Sequence, residues 1–245
     1  MINQILLPIQ KEMQLFNELY NSLLYHNNEY INNYLQHLST QKGKQIRPTL
    51  VFLSAAINGN ISTKTYSIAL AVELLHLSSL VHDDVVDEGL IRRNNPTINA
   101  KYGNQVAVLV GDLLLSKCIQ KVLETNDYQL LNKFTQIAED MTIGELLQLK
   151  FKEIGSLIEK DYFSIIKNKT AALFKLCFSE GAKSGNANLK EIKSWEDLGL
   201  NFGLLFQMCD DLADFCTKNP TKDAFKDIKE HKITFPIIAT LQSSN

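Results

Sequence analysis

Long apolar runs at helical spacing, almost free of helix breakers, dominate this chain. In residues 68–81, IALAVELLHLSSLV, apolar residues recur at three- and four-residue steps and nearly all round, the pattern of a buried helix. The same pattern covers 105–123, 131–151, 161–183 and 194–216. Only five prolines and eleven glycines punctuate 245 residues. Strand alternation bounded by hairpin signals is absent. Residues 58–62 (NGNIS), 186–188 and 92–97 (RRNNPT) read as loops, the last because Pro96 disfavours helix at the residue before it. No internal repeat, low-complexity tract or linker divides the chain. The expectation is an all-α fold: one domain over residues 1–245, about ten helices packed as a bundle.

Bulk charge narrows the function classes. The 25 basic and 27 acidic residues nearly balance, so nothing in the composition calls for nucleic acid as a partner. Any charged ligand has to be recognised locally. Cys118, Cys177, Cys209 and Cys216 show no C-x-x-C spacing and read as thiols of a reducing compartment. The start MINQILLPIQKEM lacks the basic-then-apolar form of a signal peptide, and no window reaches the roughly 20 apolar residues of a spanning helix. A cytoplasmic location is expected.

Two acidic clusters interrupt this apolar pattern. LVHDDVVDEGLIRR, residues 80–93, carries Asp83, Asp84 and Asp87 directly behind a leucine-rich run. Asp83 and Asp87 share a helix face, where like charges cost roughly 0.2–0.5 kcal/mol and an acidic pair near a C-terminus opposes the dipole. Either water screens them or something strongly positive sits between them. QMCDDLAD, residues 207–214, repeats the pattern DDxxD with Asp210, Asp211 and Asp214, again behind a long apolar helix. A solvated helix end explains one such cluster more readily than two. Neither has the alternating acidic loop of an EF-hand, and no His/Cys set argues for zinc. Carboxylate oxygens suit hard cations, and Mg²⁺ is usually held by one or two carboxylates plus substrate phosphates.

The basic residues fit a phosphate ligand. Arg92 and Arg93 follow the first cluster, GKQIRP at 43–48 offers Lys44 and Arg47 three apart, Lys169 begins KTAALF, and Lys222 and Lys232 follow the second cluster. Arg forks and Lys point charges recognise phosphate. Together with the acidic clusters they describe a diphosphate site, with carboxylate–metal bridges on one side and direct cations on the other.

The ordered set GKxxRP, ELLHLSSLVHDDVVDEGLIRR, GD at 111–112, GE at 144–145, KT at 169–170, FQxxDDxxD and DIKEHKITFP resembles the trans-isoprenyl diphosphate synthases, the polyprenyl synthetases, over roughly residues 40–240. The resemblance implies an isoprenoid-synthase-type helical bundle around a central cavity, usually a homodimer. It implies condensation of isopentenyl diphosphate, head to tail, onto an allylic diphosphate of geranyl or farnesyl type, with release of diphosphate. Three Mg²⁺ would hold the allylic diphosphate through Asp83, Asp87 and Asp210, supported by Asp84, Asp211 and Asp214. Arg92, Lys169, Gln207 and Lys222 would contact its diphosphate, and Lys44, Arg47, His76 and Arg93 would hold isopentenyl diphosphate. Lys232 is placed with the substrate-binding lysines. The carbonyl of Lys169 and the side chains of Thr170 and Gln207 resemble the family's dipoles facing the carbocation. Leu74, Leu77, Phe174 and Phe206 would line an apolar pocket that keeps water away. Glu73, Glu145 and Glu180 read as structural, and the family assigns proton loss to the released diphosphate.

Chain length follows from one helix face. Ser79 lies one turn before Asp83 and Leu75 another turn below, about 12 Å from Asp83 at ~1.5 Å per residue. Family members that stop early carry bulky aromatics there, so serines imply a medium or long all-trans product. Two departures stand against the resemblance. The glycine usually found before the second lysine segment is Thr221, and the family continues for several helices beyond the segment matching KITFP, so the last C-terminal helices are expected to be lacking. Other readings remain: a non-catalytic subunit of a heteromeric synthase, a truncated binding-only form, a terpene cyclase needing only one diphosphate site, or a helical scaffold. A transient membrane-surface contact would serve release of a greasy product, although no basic amphipathic helix supports it.

Overall fold

The computed structural model describes residues 2–41, 43–155, 157–215 and 233–243, and these are helical apart from their connections and one short hairpin. In chain order the helices are α1 (Ile2–Leu6), α2 (Gln10–Leu23), α3 (Glu29–Ser39), α4 (Ile46–Asn58), α5 (Thr63–Val86), α6 (Ile98–Tyr102), α7 (Asn104–Leu123), α8 (Tyr128–Ile154), α9 (Glu159–Ile166), α10 (Ala172–Ser184) and α11 (Leu189–Asp214), followed by Phe235–Ser243. None of the described helices is long and apolar enough to cross a membrane. Contacts group the chain into two compact units, residues 1–134 with 177–193, and residues 135–176 with 194–245.

In the first unit α5 is the axis. Ile68, Ala69, Leu70, Ala71, Val72, Leu74 and Leu75 are all buried, as the apolar run requires, and the helix packs against α4 and α7. Its start is set by a capping box. The Ser62 hydroxyl accepts from the Thr65 N–H, and the Ser62 N–H donates to the Thr65 hydroxyl at 3.1 Å. Close helix contacts need small residues: a Cβ on Gly111 of α7 would stand 2.1 Å from the His82 ring, and one on Gly181 of α10 would stand 2.2 Å from the Ser54 hydroxyl. Polar staples complete the unit. Asp127 accepts from Lys64 at 2.7 Å and lies 3.5 Å from Lys183, while the fully buried Glu180 accepts from Lys133 at 2.5 Å.

The second unit is built on aromatics. Phe174 meets Phe202 and Phe206 with ring centroids 5.2 and 5.0 Å away. Tyr162, Ile166 and Ile238 form a separate buried cluster on which Leu204, Met208 and Phe235 pack. Gly203 of α11 lies against Ala171, whose Cα would be 2.5 Å from a Cβ at that position.

Two features differ from the sequence reading. The run 161–183 is not one continuous helix, because Lys167–Ala171 forms a π-turn in which the Ala172 N–H reaches back to the Lys167 carbonyl. Apolar periodicity is blind to one extra residue in a turn. The loop at 92–97 contains a two-residue antiparallel ladder, Ile91 opposite Pro96 and Arg92 opposite Asn95. Its central residues Arg93 and Asn94 both have positive φ, 51° and 64°, the type I′ geometry that suits a hairpin.

Candidate active site

The end of α5 builds the first cluster. Asp83 and Asp84 occupy the last turn and Asp87 is the C-cap, its N–H donating to the Asp83 carbonyl at 2.8 Å. The three carboxylates do different work. Asp84 is buried and takes the Arg92 fork, Nε at 3.0 Å from both oxygens and Nη2 at 2.8 Å from one. The backbone closes the same loop: Gly89 N–H donates to the Asp84 carbonyl at 2.9 Å, and the Asn99 amide reaches the Asp84 and Gly89 carbonyls at 3.0 Å each. Asp83 and Asp87 are half-buried. Burial opposes the charge on Arg92, but the Asp84 hydrogen bond and the nearby Asp83 and Asp87 raise its pKa above the usual arginine value. The resemblance implies a substrate contact for Arg92 and metal support for Asp84. The structure joins them to each other.

Of the residues assigned to the second diphosphate, His76 and Arg93 line one cleft, and Arg47 is close enough for its charge to act on both. Arg93 donates to the Gln41 carbonyl at 2.6 Å, and its guanidinium lies flat against Gly43, where a Cβ would be 2.6 Å from Nη2. That contact explains the glycine of GKxxRP. Gln45, at φ 49°, turns the chain into α4 just before Arg47. A cleft is lined by Gly43, Gln45, Glu73, His76, Leu77 and Arg93. Burial, then the positive charges of Arg47, Arg93 and Arg92, push the His76 pKa well below the usual histidine value, so the ring is neutral at pH 7. Burial raises the Glu73 pKa, with Arg47 and Arg93 opposing. Burial lowers the Arg47 pKa, as does Arg93, against Cys177 and Glu73. Burial and the neighbouring Arg92 lower that of Arg93. An excess of positive charge around one buried carboxylate fits an anion. Lys44 is exposed.

The second cluster stands at the end of α11. Asp211 and Asp214 are buried and Asp210 is exposed. A hydrogen-bond chain fixes the neighbours: the Thr170 hydroxyl donates to Gln207 Oε1 at 2.8 Å, Gln207 Nε2 donates to Asp211 Oδ1 at 2.7 Å, and the Tyr162 hydroxyl donates to Asp211 Oδ2 at 2.6 Å. The π-turn puts Lys169 and Thr170 at the start of this chain, as π-turns often do at functional sites. Lys169 pairs with Glu145 and donates to Gln148 Oε1 at 3.2 Å. Gly144 lies against the Lys169 backbone, where a Cβ would be 2.9 Å from its nitrogen. Lys222 and Lys232 lie outside the described residues.

Leu77, expected in an apolar pocket under the aspartates, lines the cleft beside His76. Leu74 and Phe174 are fully buried core residues of their units, because the positions they occupy are closed over by packing. Tyr162, Gln148 and Gln41 went unnoticed in the sequence: each reaches a site residue from a distant segment, and nothing local marks them. Glu145, read as structural, is the partner of Lys169. Among the described residues no three carboxylate, His or Cys side chains converge as a ready-made metal cage. Asp83 and Asp87 are half-buried at the end of α5 and Asp210 is exposed at the end of α11, and carboxylates are the ligand type that Mg²⁺ takes together with phosphate and water.

Comparison with known proteins identifies the family. The polyprenyl synthetase family model matches residues 28–245. A geranylgeranyl diphosphate synthase of Sulfolobus acidocaldarius is 33% identical over 93% of this chain and 74% of its own length. Heptaprenyl diphosphate synthase component 2 of Bacillus subtilis is 31% identical over 84% of this chain and 60% of its own length. The chain thus spans less than two thirds of some of the relatives it matches. A polyprenyl synthase of Caulobacter crescentus, solved with calcium and isoprenyl diphosphate, superposes with a TM-score of 0.93 at 30% identity, over all of this chain and 75% of that one. With the ordered motifs, the two aspartate-bearing helix ends and a match over most of its length, this chain belongs to the polyprenyl synthetase family.

Proposed function

We propose that the chain is a prenyltransferase that condenses isopentenyl diphosphate head to tail with an allylic diphosphate, yielding a medium- or long-chain all-trans polyprenyl diphosphate. The observation that carries this reading is the pairing of two differently built sites in one family member. One is a carboxylate set for a metal-bridged diphosphate. The other is a cleft lined by His76 and Arg93, with the charge of Arg47 close enough to act on His76, in which cations would meet an anion directly. A terpene cyclase has no use for the second.

Asp83, Asp87 and Asp210 would hold Mg²⁺, three ions with the allylic diphosphate bound, supported from behind by Asp84, Asp211 and Asp214. Bound there, Mg²⁺ supplies neutralisation of the charge that develops on the leaving diphosphate. Lys169, Arg92 and Lys222 add fixed positive charge to the same group. Lys44, Arg47, Arg93 and neutral His76 bind isopentenyl diphosphate, and Lys232 joins the substrate-binding set. The oxygens of Thr170 and Gln207 offer their negative ends to the allylic cation. The working form is proposed as a cytoplasmic homodimer that touches a membrane surface at product release.

Incubation of the purified chain with Mg²⁺, labelled isopentenyl diphosphate and farnesyl diphosphate tests this. The expected result is a ladder ending beyond C15. Similarity to component 2 of a Bacillus subtilis synthase supports a second reading, in which a second chain is needed. Mg²⁺-dependent diphosphate binding without product would favour that reading, and absence of both would refute each.

A further inference from the structure

We propose that Tyr162 is a positioning residue of this site, which through Asp211 fixes the end of the Gln207 amide that faces Thr170. The inference rests on the prenyl-transfer reading, in which the Gln207 oxygen faces developing positive charge. An amide is nearly the same shape after a half-turn, so its neighbours alone decide which end points where. Here the decision is made two steps away.

An ionised carboxylate only accepts hydrogen bonds. Asp211 therefore draws the Gln207 NH₂ group to its Oδ1 at 2.7 Å and leaves Oε1 for the Thr170 hydroxyl at 2.8 Å. Asp211 can impose that choice only while its own plane is held. The Tyr162 hydroxyl holds it from the other side, at 2.6 Å from Oδ2, a short charge-assisted bond. Tyr162 cannot swing away. It is 3% exposed, with its ring centroid 5.5 Å from that of Phe163 and 5.6 Å from that of Phe235. Ile166 and Ile238 close the same cluster. Packing alone would be served by phenylalanine, as the neighbouring Phe163 shows. The hydroxyl is the part that reaches the aspartate.

The test compares Tyr162→Phe with Phe163→Leu, which loosens the same cluster without touching Asp211. Steady-state kinetics and the ¹⁵N–¹H signals of the Gln207 side-chain amide are measured for both. Tyr162→Phe is expected to lower kcat about tenfold with KM for isopentenyl diphosphate changed no more than about twofold. Its Gln207 amide signals should shift and exchange faster with solvent. Phe163→Leu should lower the melting temperature and move kcat and those signals far less than Tyr162→Phe does, since the Tyr162 hydroxyl remains. Adding Tyr162→Phe to Asp211→Ala should cost nothing further, since the link is already cut. An unmoved Gln207 amide in Tyr162→Phe overturns the inference whatever the rate, as does an unchanged kcat. If the wild-type chain forms no product, the prenyl-transfer reading fails by itself, and the amide signals still decide what Tyr162 does.

Discussion

Removing the Arg92 guanidinium would leave Asp84 as a nearly buried carboxylate without its fork. The Asp84 side chain is 11% exposed and that of Arg92 29%, with three contacts of 2.8 to 3.0 Å between them. Breaking a fully buried ion pair from one side costs about 3–5 kcal/mol. The Arg92 side lets water in, so Arg92→Ala is expected to lose about 2–3 kcal/mol. Arg92→Lys keeps a charge but not the planar fork, and should lose about 1 kcal/mol. Asp84→Asn on its own removes the charge the fork is built for, and the double variant should show a coupling of about 1–2 kcal/mol. Urea unfolding at constant m measures all four corners of the cycle. The reasoning is refuted if Arg92→Ala unfolds within about 0.5 kcal/mol of wild type or if the two changes add. The same cycle in kinetics separates a holding role from a substrate contact. Should Arg92→Ala still raise KM for the allylic diphosphate in the Asp84→Asn background, the guanidinium touches substrate as well.

Other outcomes follow from the same geometry. Ser79→Phe should shorten the product ladder, because Ser79 is a small half-buried residue whose hydroxyl bonds back to the His76 carbonyl at 2.9 Å; chromatography of the products checks this. Asp127 is held below the usual carboxylate range first by Lys64 and then by the Leu130 N–H, with Lys183 adding. A depressed carboxylate contributes stability above its unfolded pKa and loses it as pH falls through the folded one. Asp127→Asn should therefore be less stable than wild type at neutral pH, with the gap closing as pH drops below about 4. Burial pushes the Cys118 and Cys177 thiols up to about 12, whereas Cys209 is exposed. Alkylation at pH 8 followed by peptide mapping should find Cys209 modified in the native protein, and Cys118 and Cys177 only after unfolding.

How much of this could be read from the chain depends on the range of the signal. The helices were legible because burial writes itself into three- and four-residue spacing, as in 68–81. The aspartates were legible because both clusters are local and repeated. Partnerships across the fold were not. Asp84 and Arg92 are eight residues apart, yet nothing in DDVVDEGLIRR tells a fork between them from two separate ligands for substrate. Tyr162 lies 49 residues from Asp211 and reads as one more aromatic in an apolar helix. The hairpin at 91–96 escaped notice because its turn is Arg93-Asn94, without the glycine that usually announces positive φ.

The π-turn at Lys167–Ala171 has a genetic side. One residue advances a helix by about 100°, so the surplus residue sets Tyr162, Ile165 and Ile166 out of phase with Leu173 and Phe174. What places Lys169 and Thr170 is then a count, not a choice of amino acid. Substitution scanning reports on the side chains of Lys169 and Thr170 but does not alter this count. Removing a single residue of the five would restore an ordinary helical turn, keep the flanking helices in phase with each other, and erase the bulge that places Lys169 and Thr170. In this stretch the reading frame of the helix is itself inherited information, and variation by insertion or deletion is where its loss would show.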